Sequence, residues 1–594
     1  MIMRLIRPCY LWTIALFFFG TPFLYGQASS TKITDMVLTD IQDDAADVLV
    51  LFREVPDFSE VATLPTKQAM AEMVYARLRL AADQSQQVVK AWLDLHQLSY
   101  KAFWVVNALS VTVNREQLEQ IAAFPEVQHI TSDRAGIHMA NVQMEPAAPP
   151  TGIEWGISKT RADQVWSSLG VKGKGAVVGG LDTGFKWDHP AIKLQYRGWD
   201  GVNASHDYNW FDGVKQNSPL NTSGSNPCGL DLKVPCDDDN HGTHTMGTMV
   251  GLDGENVIGM APEAKWVACR NMERGWGAPS FYLACFQWML APTDVNGQNP
   301  DPSKAPHVIN NSWYCAPEEG CPSLTELIPF EAAVNNLRSS GVMVVVSAGN
   351  SGPTCGTVQY GPAIFEKSFS VAATNVNNEA ASFSSRGLVT FDASNRMKPN
   401  IAAPGHNVRS SIRGDAYAAF SGTSMAGPHV AGMVALMISA NPKLAGHVDQ
   451  IEQIIKETAV PHTTTEICGG VPGSQIPNPV FGYGRIDALA AVNKALLVAN
   501  ETEEQPQQFV LTPPYPNPFN PVTRLTLTVE KAERVNVSVF DALGRKVAEL
   551  FNGVLAAQET KSFLFEAENL ANGLYFIRAT GTTQSHVRSA TLLK

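Results

Sequence analysis

Charge is scarce in this chain. Asp, Glu, Lys and Arg make up only 17% of its 594 residues, against about 25% in an average soluble protein, so disorder driven by charge repulsion is excluded. Lys plus Arg number 44 against 56 Asp plus Glu, a net charge of −12, with no basic stripe. A phosphate backbone would find no electrostatic footprint, and nucleic acid is not an expected partner. Long apolar runs are missing too. The longest, residues 11–19, falls well short of the ~20 residues a spanning helix needs. Arg4 and Arg7 precede it, and Gly20, Pro22 and Gly26 follow. That is the layout of a secretory signal over residues 1–26, cut near Gly26 or Ala28, and it predicts a soluble, exported protein. No CxxC pair is present, which removes a zinc ribbon. Of nine cysteines, Cys9 leaves with the signal and the other eight form an even set in a compartment that permits disulfides. Cys228 with Cys236, and Cys315 with Cys321, are spaced to close local loops. The full pairing stays open.

What is present is enough apolar residue, 44%, to build several cores, and the length predicts three to five domains at roughly 100–200 residues each. Residues 28–145 contain no cysteine and read as strand (48–52), long helix (66–96), strand (101–113), a helix capped by Asn114, and strand (127–131), a small α+β unit of the split βαβ kind. A Pro-rich stretch, 145–150, then marks a linker. From residue 151 to 499, strands at 176–181, 308–310, 342–347 and 368–372 alternate with helical stretches, which predicts an α/β domain with a parallel sheet flanked by helices. A polar acidic linker, 500–508, follows. The remainder, 509–594, alternates apolar and polar residues at 524–529, 534–540, 561–565 and 573–580 and reads as an antiparallel β-sandwich.

Three segments of the middle domain carry chemistry. Gly179-Gly180-Leu181-Asp182-Thr183-Gly184 follows a strand, so Asp182 falls at the C-terminal edge of a parallel sheet, where α/β proteins place their sites. Asn240-His241-Gly242-Thr243-His244 opens one helix and Gly422-Thr423-Ser424-Met425-Ala426-Gly427-Pro428-His429 opens another. A nucleophilic serine needs an imidazole to take its proton and a carboxylate to hold that imidazole's tautomer. Of the known chain orders for such a triad, Asp then His then Ser is that of the subtilisins. Ser424 at a helix start would place its backbone N–H among unsatisfied donors, and Pro428 is expected in the first turn, where a missing N–H costs nothing.

On these residues the chain resembles the subtilisin-like serine protease (subtilase) family, from about residue 155 to Phe481-Gly482-Tyr483-Gly484-Arg485-Ile486-Asp487-Ala488. Asn311-Ser312-Trp313, residues 264–272 and the cysteine-bearing loop after Trp313 look most like its bacillopeptidase F branch. The resemblance implies a self-activating endopeptidase acting on proteins or peptides, with Ser424 as nucleophile, His241 as general base and then acid, Asp182 as its orienter and Asn310 in the oxyanion hole. It also implies a substrate pocket wall at Ser347, Ala348 and Gly349. Gly275, Trp276 and Gly277 would pair with substrate backbone as an added strand, although Trp276 replaces the small residue usual there. No cofactor is expected. The family's calcium site looks absent, because Ala191 follows His189-Pro190 and the 252–259 loop is one residue short; Asp237, Asp238 and Asp239 offer an alternative calcium ligand set. Zinc at His241 and His244 is disfavoured because Gly242 stands where H-E-x-x-H needs glutamate. A metal-dependent hydrolase and a non-catalytic adhesin on a protease fold remain the rival readings.

The flanking units have resemblances of their own. Residues 28–145, with Phe103-Trp104-Val105-Val106-Asn107-Ala108 and Val127-Gln128-His129-Ile130-Thr131, resemble the family's inhibitory propeptide, which would be released by self-cleavage between Arg134 and Pro150. Residues 509–594 carry Tyr515-Pro516-Asn517-Pro518-Phe519-Asn520-Pro521, then Val539-Phe540-Asp541-Ala542-Leu543-Gly544-Arg545, then Asn572-Gly573-Leu574-Tyr575-Phe576 and a terminal Leu592-Leu593-Lys594. These look like a type IX secretion sorting domain, which implies that machinery as a partner and passage through the periplasm to the cell surface or medium. A monomer is expected.

Overall fold

The computed structural model describes residues 31–594 apart from 135, 140–141, 147–151, 219–220, 222–223, 502–508, 558 and 583. The signal segment and most of the 500–508 linker lie outside the described residues. The chain divides into two compact units, meeting at Leu496 and Leu497.

The first unit begins with a four-stranded antiparallel sheet in the order Tyr100–Phe103, Ala108–Val113, Ala46–Phe52, Val127–Ser132. Asn114 caps the helix Arg115–Ala123 in a reciprocal box with Gln117, each side chain accepting the other's backbone N–H at 2.9 Å, which satisfies two otherwise orphaned donors. The single helix expected over 66–96 is two, Lys67–Ser85 and Gln87–Leu95. At the break the buried Gln86 amide turns inward and donates to Phe103 O and Asn107 Oδ1.

Behind this layer lies a seven-stranded sheet in the order Ile401–Pro404, Phe369–Thr374, Met343–Ser347, Val308–Asn311, Val177–Asp182, Lys265–Arg270, Trp210–Asp212. Every pairing in it is parallel. Its central strands are nearly continuous apolar runs, as a sheet covered on both faces requires. Successive residues of a strand face opposite sides, and Gly179 and Gly180 show what lies on each. A Cβ on Gly179 would meet Met289 of helix Pro279–Leu290, and one on Gly180 would meet Met246 of helix His241–Val250. Helix Thr423–Ala440 is long and apolar enough to cross a membrane, yet it is 89% buried inside the protein and serves as the central core helix. The N-terminal layer docks on helices Pro279–Leu290 and Leu324–Ser339. Gln287 Oε1 accepts from Trp104 N at 2.8 Å, Asn336 Nδ2 donates to Val105 O at 2.7 Å, and Asp133 Oδ1 accepts from Ser280 N at 2.7 Å. Trp104, Phe103 and Val74 share one apolar cluster with Tyr282, Phe286 and Phe330.

All eight cysteines of the even set are paired: Cys228–Cys236, Cys269–Cys285, Cys315–Cys321 and Cys355–Cys468. The two local loops form as spaced.

The second unit is a sandwich of a three-stranded sheet (Val510–Leu511, Val522–Thr528, Thr560–Glu566) and a four-stranded one (Lys546–Leu555, Glu533–Asp541, Gly573–Thr580, Ser585–Leu592). Leu525, Leu527, Val535, Val537, Phe563, Phe565 and Ile577 fill the space between them. The terminal Lys594 is tied down, its backbone N–H to Asn572 Oδ1 and its ammonium to Leu570 O.

Candidate active site

Asp182 ends the Val177–Asp182 strand at the C-terminal edge of the sheet, and His241 is the first residue of helix His241–Val250. The two meet: Asp182 Oδ1 lies 2.7 Å from His241 Nδ1, both side chains essentially inaccessible. Asp182 is itself oriented, accepting from Thr183 N at 2.8 Å. Burial works to lower the His241 pKa, but the charge and hydrogen bond of Asp182, with Asp239 and Asp237 behind it, outweigh burial and hold it above the ordinary histidine value. The other ring nitrogen, Nε2, is buried without a hydrogen-bond partner among the described residues. An unpaired buried nitrogen is costly, and here it is the atom a base needs free.

Asp237 explains how the helix is held. Its carboxylate accepts from Thr183 Oγ1, Asp239 N, Thr243 N and Thr243 Oγ1. It therefore joins the loop after Asp182 to the first turn after His241. Burial pushes its pKa up to about 6 against the Thr243 bonds. Asp238 turns the other way, to the buried Arg270 guanidinium at 2.8 Å. Asp237 and Asp238 are thus engaged with internal partners, and among the described residues no group of three or more His, Cys, Asp or Glu side chains is gathered to hold a metal ion. His244 does not stand with His241 either: its Nε2 faces Val408 O at 3.0 Å and its ring stacks on Phe420 at 4.2 Å. Burial pulls its pKa down to about 3 and that of His429, bonded to Met425 O, to about 4. Both are neutral packing residues.

Ser424 is the second residue of helix Thr423–Ala440 and 2% exposed. Pro428 does not lie in the first turn as expected. It stands inside the helix, where its missing N–H leaves the Ser424 carbonyl without its i+4 donor. Ser312 Oγ fills that role, donating to Ser424 O at 3.1 Å, and Asn310 Nδ2 donates in turn to Ser312 Oγ at 2.9 Å. This corrects the expectation for Asn310. Its Nδ2 is engaged beneath the helix, and its Oδ1, buried without a hydrogen-bond partner among the described residues, stands 2.6 Å from where a Cβ on Gly427 would fall. Through Ser312 it supports the carbonyl of Ser424.

The asparagine at the N terminus of that helix is Asn350. Its Oδ1 accepts from Thr423 N at 2.9 Å and Thr423 Oγ1 at 2.8 Å. An ideal Cβ on Gly422 would lie 3.4 Å from Asn350 Nδ2 and 3.6 Å from Ser424 N. Two N–H donors thus border one small space beside the serine. Asn350 carries no catalytic role among the expectations from sequence, although it follows Ser347, Ala348 and Gly349. The available signal was position: Asn310 precedes the last residue of its strand, while Asn350 lies beyond the end of Met343–Ser347 and can reach past the sheet edge. Gly349, at φ +108°, makes the turn, and its N–H donates to Thr423 Oγ1. Ser347 is 6% exposed, and Ala348 N bonds Val371 O.

Gly275, Trp276 and Gly277 do receive an added strand, and it comes from the chain itself. Ile137–His138 pairs antiparallel with Trp276–Gly277, and Met139 N donates to Gly275 O at 2.8 Å. On the other side Gln143–Pro146 pairs antiparallel with Ala416–Ser421, the strand leading into Ser424. The segment after Ser132 therefore pairs with Trp276–Gly277 and with the strand that leads into Ser424.

The subtilase family profile matches residues 173–484, and the profile of a secretion system C-terminal sorting domain matches residues 514–591. The chain is 35% identical over 459 residues to bacillopeptidase F of Bacillus subtilis (strain 168), covering 73% of this chain but only 29% of that protein. It is 33% identical over 319 residues to subtilisin Savinase of Lederbergia lenta, covering 53% of this chain and 95% of that one. The crystal structure of the epidermin leader peptide processing serine protease of Staphylococcus aureus superposes with a TM-score of 0.55 at 16% identity, over 76% of this chain and all of that one.

Proposed function

The chain belongs to the subtilase family, and from that premise we propose that it is a secreted serine endopeptidase that cleaves proteins through an acyl-enzyme and matures by cutting itself. The observation that carries the reading is the buried Asp182–His241 bond at 2.7 Å with His241 Nε2 left free. In this reading Ser424 Oγ adds to the peptide carbonyl as its proton passes to Nε2. Asp182 keeps the Nδ1–H tautomer and stabilises the cation. The oxyanion that forms takes the N–H of Ser424 and Nδ2 of Asn350, donors already held at a helix N terminus whose partial positive charge favours it. His241 then protonates the leaving amine, the amine departs, and water repeats the sequence on the acyl-enzyme. The chemistry requires no cofactor.

Residues 28–145 are proposed as the inhibitory propeptide, 151–499 as the catalytic domain and 509–594 as the sorting domain after the 500–508 linker. The two paired stretches in the groove, Ile137–His138 and Gln143–Pro146, support both inhibition and self-cleavage between residues 134 and 150. Part of that interval (135, 140–141 and 147–150) lies outside the described residues. Substrates are proteins or peptides, and the sorting domain sends the protein through the periplasm to the cell surface or medium by type IX secretion. A fluorophosphonate should label Ser424 stoichiometrically and abolish hydrolysis of casein, with a chelator leaving the rate unchanged. Activity that survives the phosphonate and is lost to the chelator would overturn the serine mechanism in favour of a metal-dependent one.

A further inference from the structure

The groove holds a three-residue segment whose side chains are sorted by face. Ile137 is fully buried and Met139 is 7% exposed, while His138, between them, turns to the other side and is half-buried, the alternation of an extended strand. Ile137 and Met139 enter the apolar cluster that contains Tyr282, Trp313 and Ala348. His138 instead meets Trp276, the ring centroids 4.4 Å apart and the planes inclined at 52°.

Among the described residues of its bank, Trp276 is the side chain offered to a bound strand, because a glycine stands on each side of it. A Cβ on Gly277 would fall 2.6 Å from Tyr282 Cε2, and one on Gly275 would fall 3.7 Å from Met139 Cβ. Neither neighbour presents a side chain to the docked strand, so side-chain discrimination on that bank falls to the indole. Burial lowers the His138 pKa with the Asp239 charge opposing it, so near neutral pH the pair is two uncharged rings rather than a cation over a ring. Asp239, Arg274, Gly275 and Phe420 line a cavity of about 230 Å³ beside His138 and Met139, which leaves room for a ring larger than imidazole.

We infer that Trp276 is a specificity-determining residue of the cleft, selecting peptide substrates in which an uncharged ring side chain (Phe, Tyr, Trp or neutral His) is flanked by apolar residues, the pattern of Ile137-His138-Met139. The inference rests on the endopeptidase reading and names the substrate class of that site.

The test uses mature enzyme and three fluorogenic peptides identical except at the middle of the triplet: Ile-His-Met, Ile-Phe-Met and Ile-Ala-Met. The ring peptides should exceed the alanine peptide in kcat/KM by roughly two- to ten-fold, the size of one aromatic pair contact. In Trp276→Ala that ratio should fall to about one, and Trp276→Phe should keep a preference. The ratio does not depend on the fraction of enzyme correctly folded, which separates recognition from a structural defect. A ratio near one in the unaltered enzyme, or an undiminished ratio in Trp276→Ala, overturns the inference while casein hydrolysis leaves the endopeptidase standing. Absence of casein hydrolysis would mean that the endopeptidase reading itself had failed and this inference with it.

Discussion

Asn350→Ala is the substitution that most sharply separates the geometry of this site from the sequence motif beside it. The Asn350 amide has two jobs on two atoms. Its Oδ1 holds Thr423 through two hydrogen bonds, worth about 1 kcal/mol each to stability. Its Nδ2 and Ser424 N both lie within 3.6 Å of the point where a Cβ on Gly422 would stand. Loss of one such donor in subtilisin lowers kcat by roughly 10²–10³, or about 2.7–4 kcal/mol, and that range is carried over here. The expected result for Asn350→Ala is a kcat loss of that order with KM nearly unchanged, together with a fall in stability of about 2 kcal/mol from the Thr423 bonds. Asn350→Asp preserves the acceptor and removes the donor, so it should recover the Thr423 contacts yet stay as slow as alanine or slower, because a carboxylate repels the oxyanion. Asn310→Ala should do the reverse. It breaks the relay through Ser312 to Ser424 O, lowering stability by about 1–3 kcal/mol with kcat reduced far less. Steady-state kinetics on an amide substrate and a denaturant melt of each variant decide the matter. A 10²-fold kcat loss in Asn310→Ala with Asn350→Ala nearly silent would refute the assignment.

Other outcomes follow from the same structure. Ser424→Ala should leave residues 28–145 covalently attached on a denaturing gel, and maturation of that variant in a protease-free host would rule out self-cleavage. Because His241 is held above the ordinary value of 6.5 and acts as a base only when neutral, kcat/KM should rise with pH through a midpoint above 6.5. Asp182→Asn should move that midpoint down while costing about 10⁴ in kcat, as loss of the orienting carboxylate does in other serine proteases; an unmoved acid limb would show that the limb belongs to another group. The Cys355–Cys468 bridge closes 113 residues, so Cys355→Ser with Cys468→Ser should cost about 2–5 kcal/mol of unfolding free energy, and a chemical melt superimposable on that of the unaltered protein would contradict it. A chain ending at Ala499 should remain proteolytic but stop in the periplasm of a type IX host, whereas residues 509–594 fused to a periplasmic reporter should carry it out; normal export of the truncated chain would refute the sorting role.

What could be read in advance, and what could not, divides along one physical line. The strands near 176–181, 308–310 and 342–347 were legible because a parallel sheet buried on both faces demands solid apolar runs. The Asp182, His241 and Ser424 segments were legible because each couples a glycine-rich turn to a chemically active side chain within a few residues. Local signals end there. The strands Lys546–Leu555 and Ser585–Leu592 were passed over because they are sheet edges, with few buried positions and no clean alternation. Cys269 and Cys285 pair only because the helix after the strand folds back onto the sheet, and Cys355 and Cys468 only because distant loops meet. Asn310 was chosen on its neighbours in sequence without Asn350 being weighed, whereas where either side chain points is decided only after the sheet and the Thr423–Ala440 helix are in place. The same holds for Ile137-His138-Met139, which carries no motif. Its meaning arises when the strand Trp276–Gly277 offers an open edge flanked by glycine. A substrate-binding cleft is built from residues whose roles exist only across long chain separations, so such roles are the part of a site that spacing along the chain conveys least.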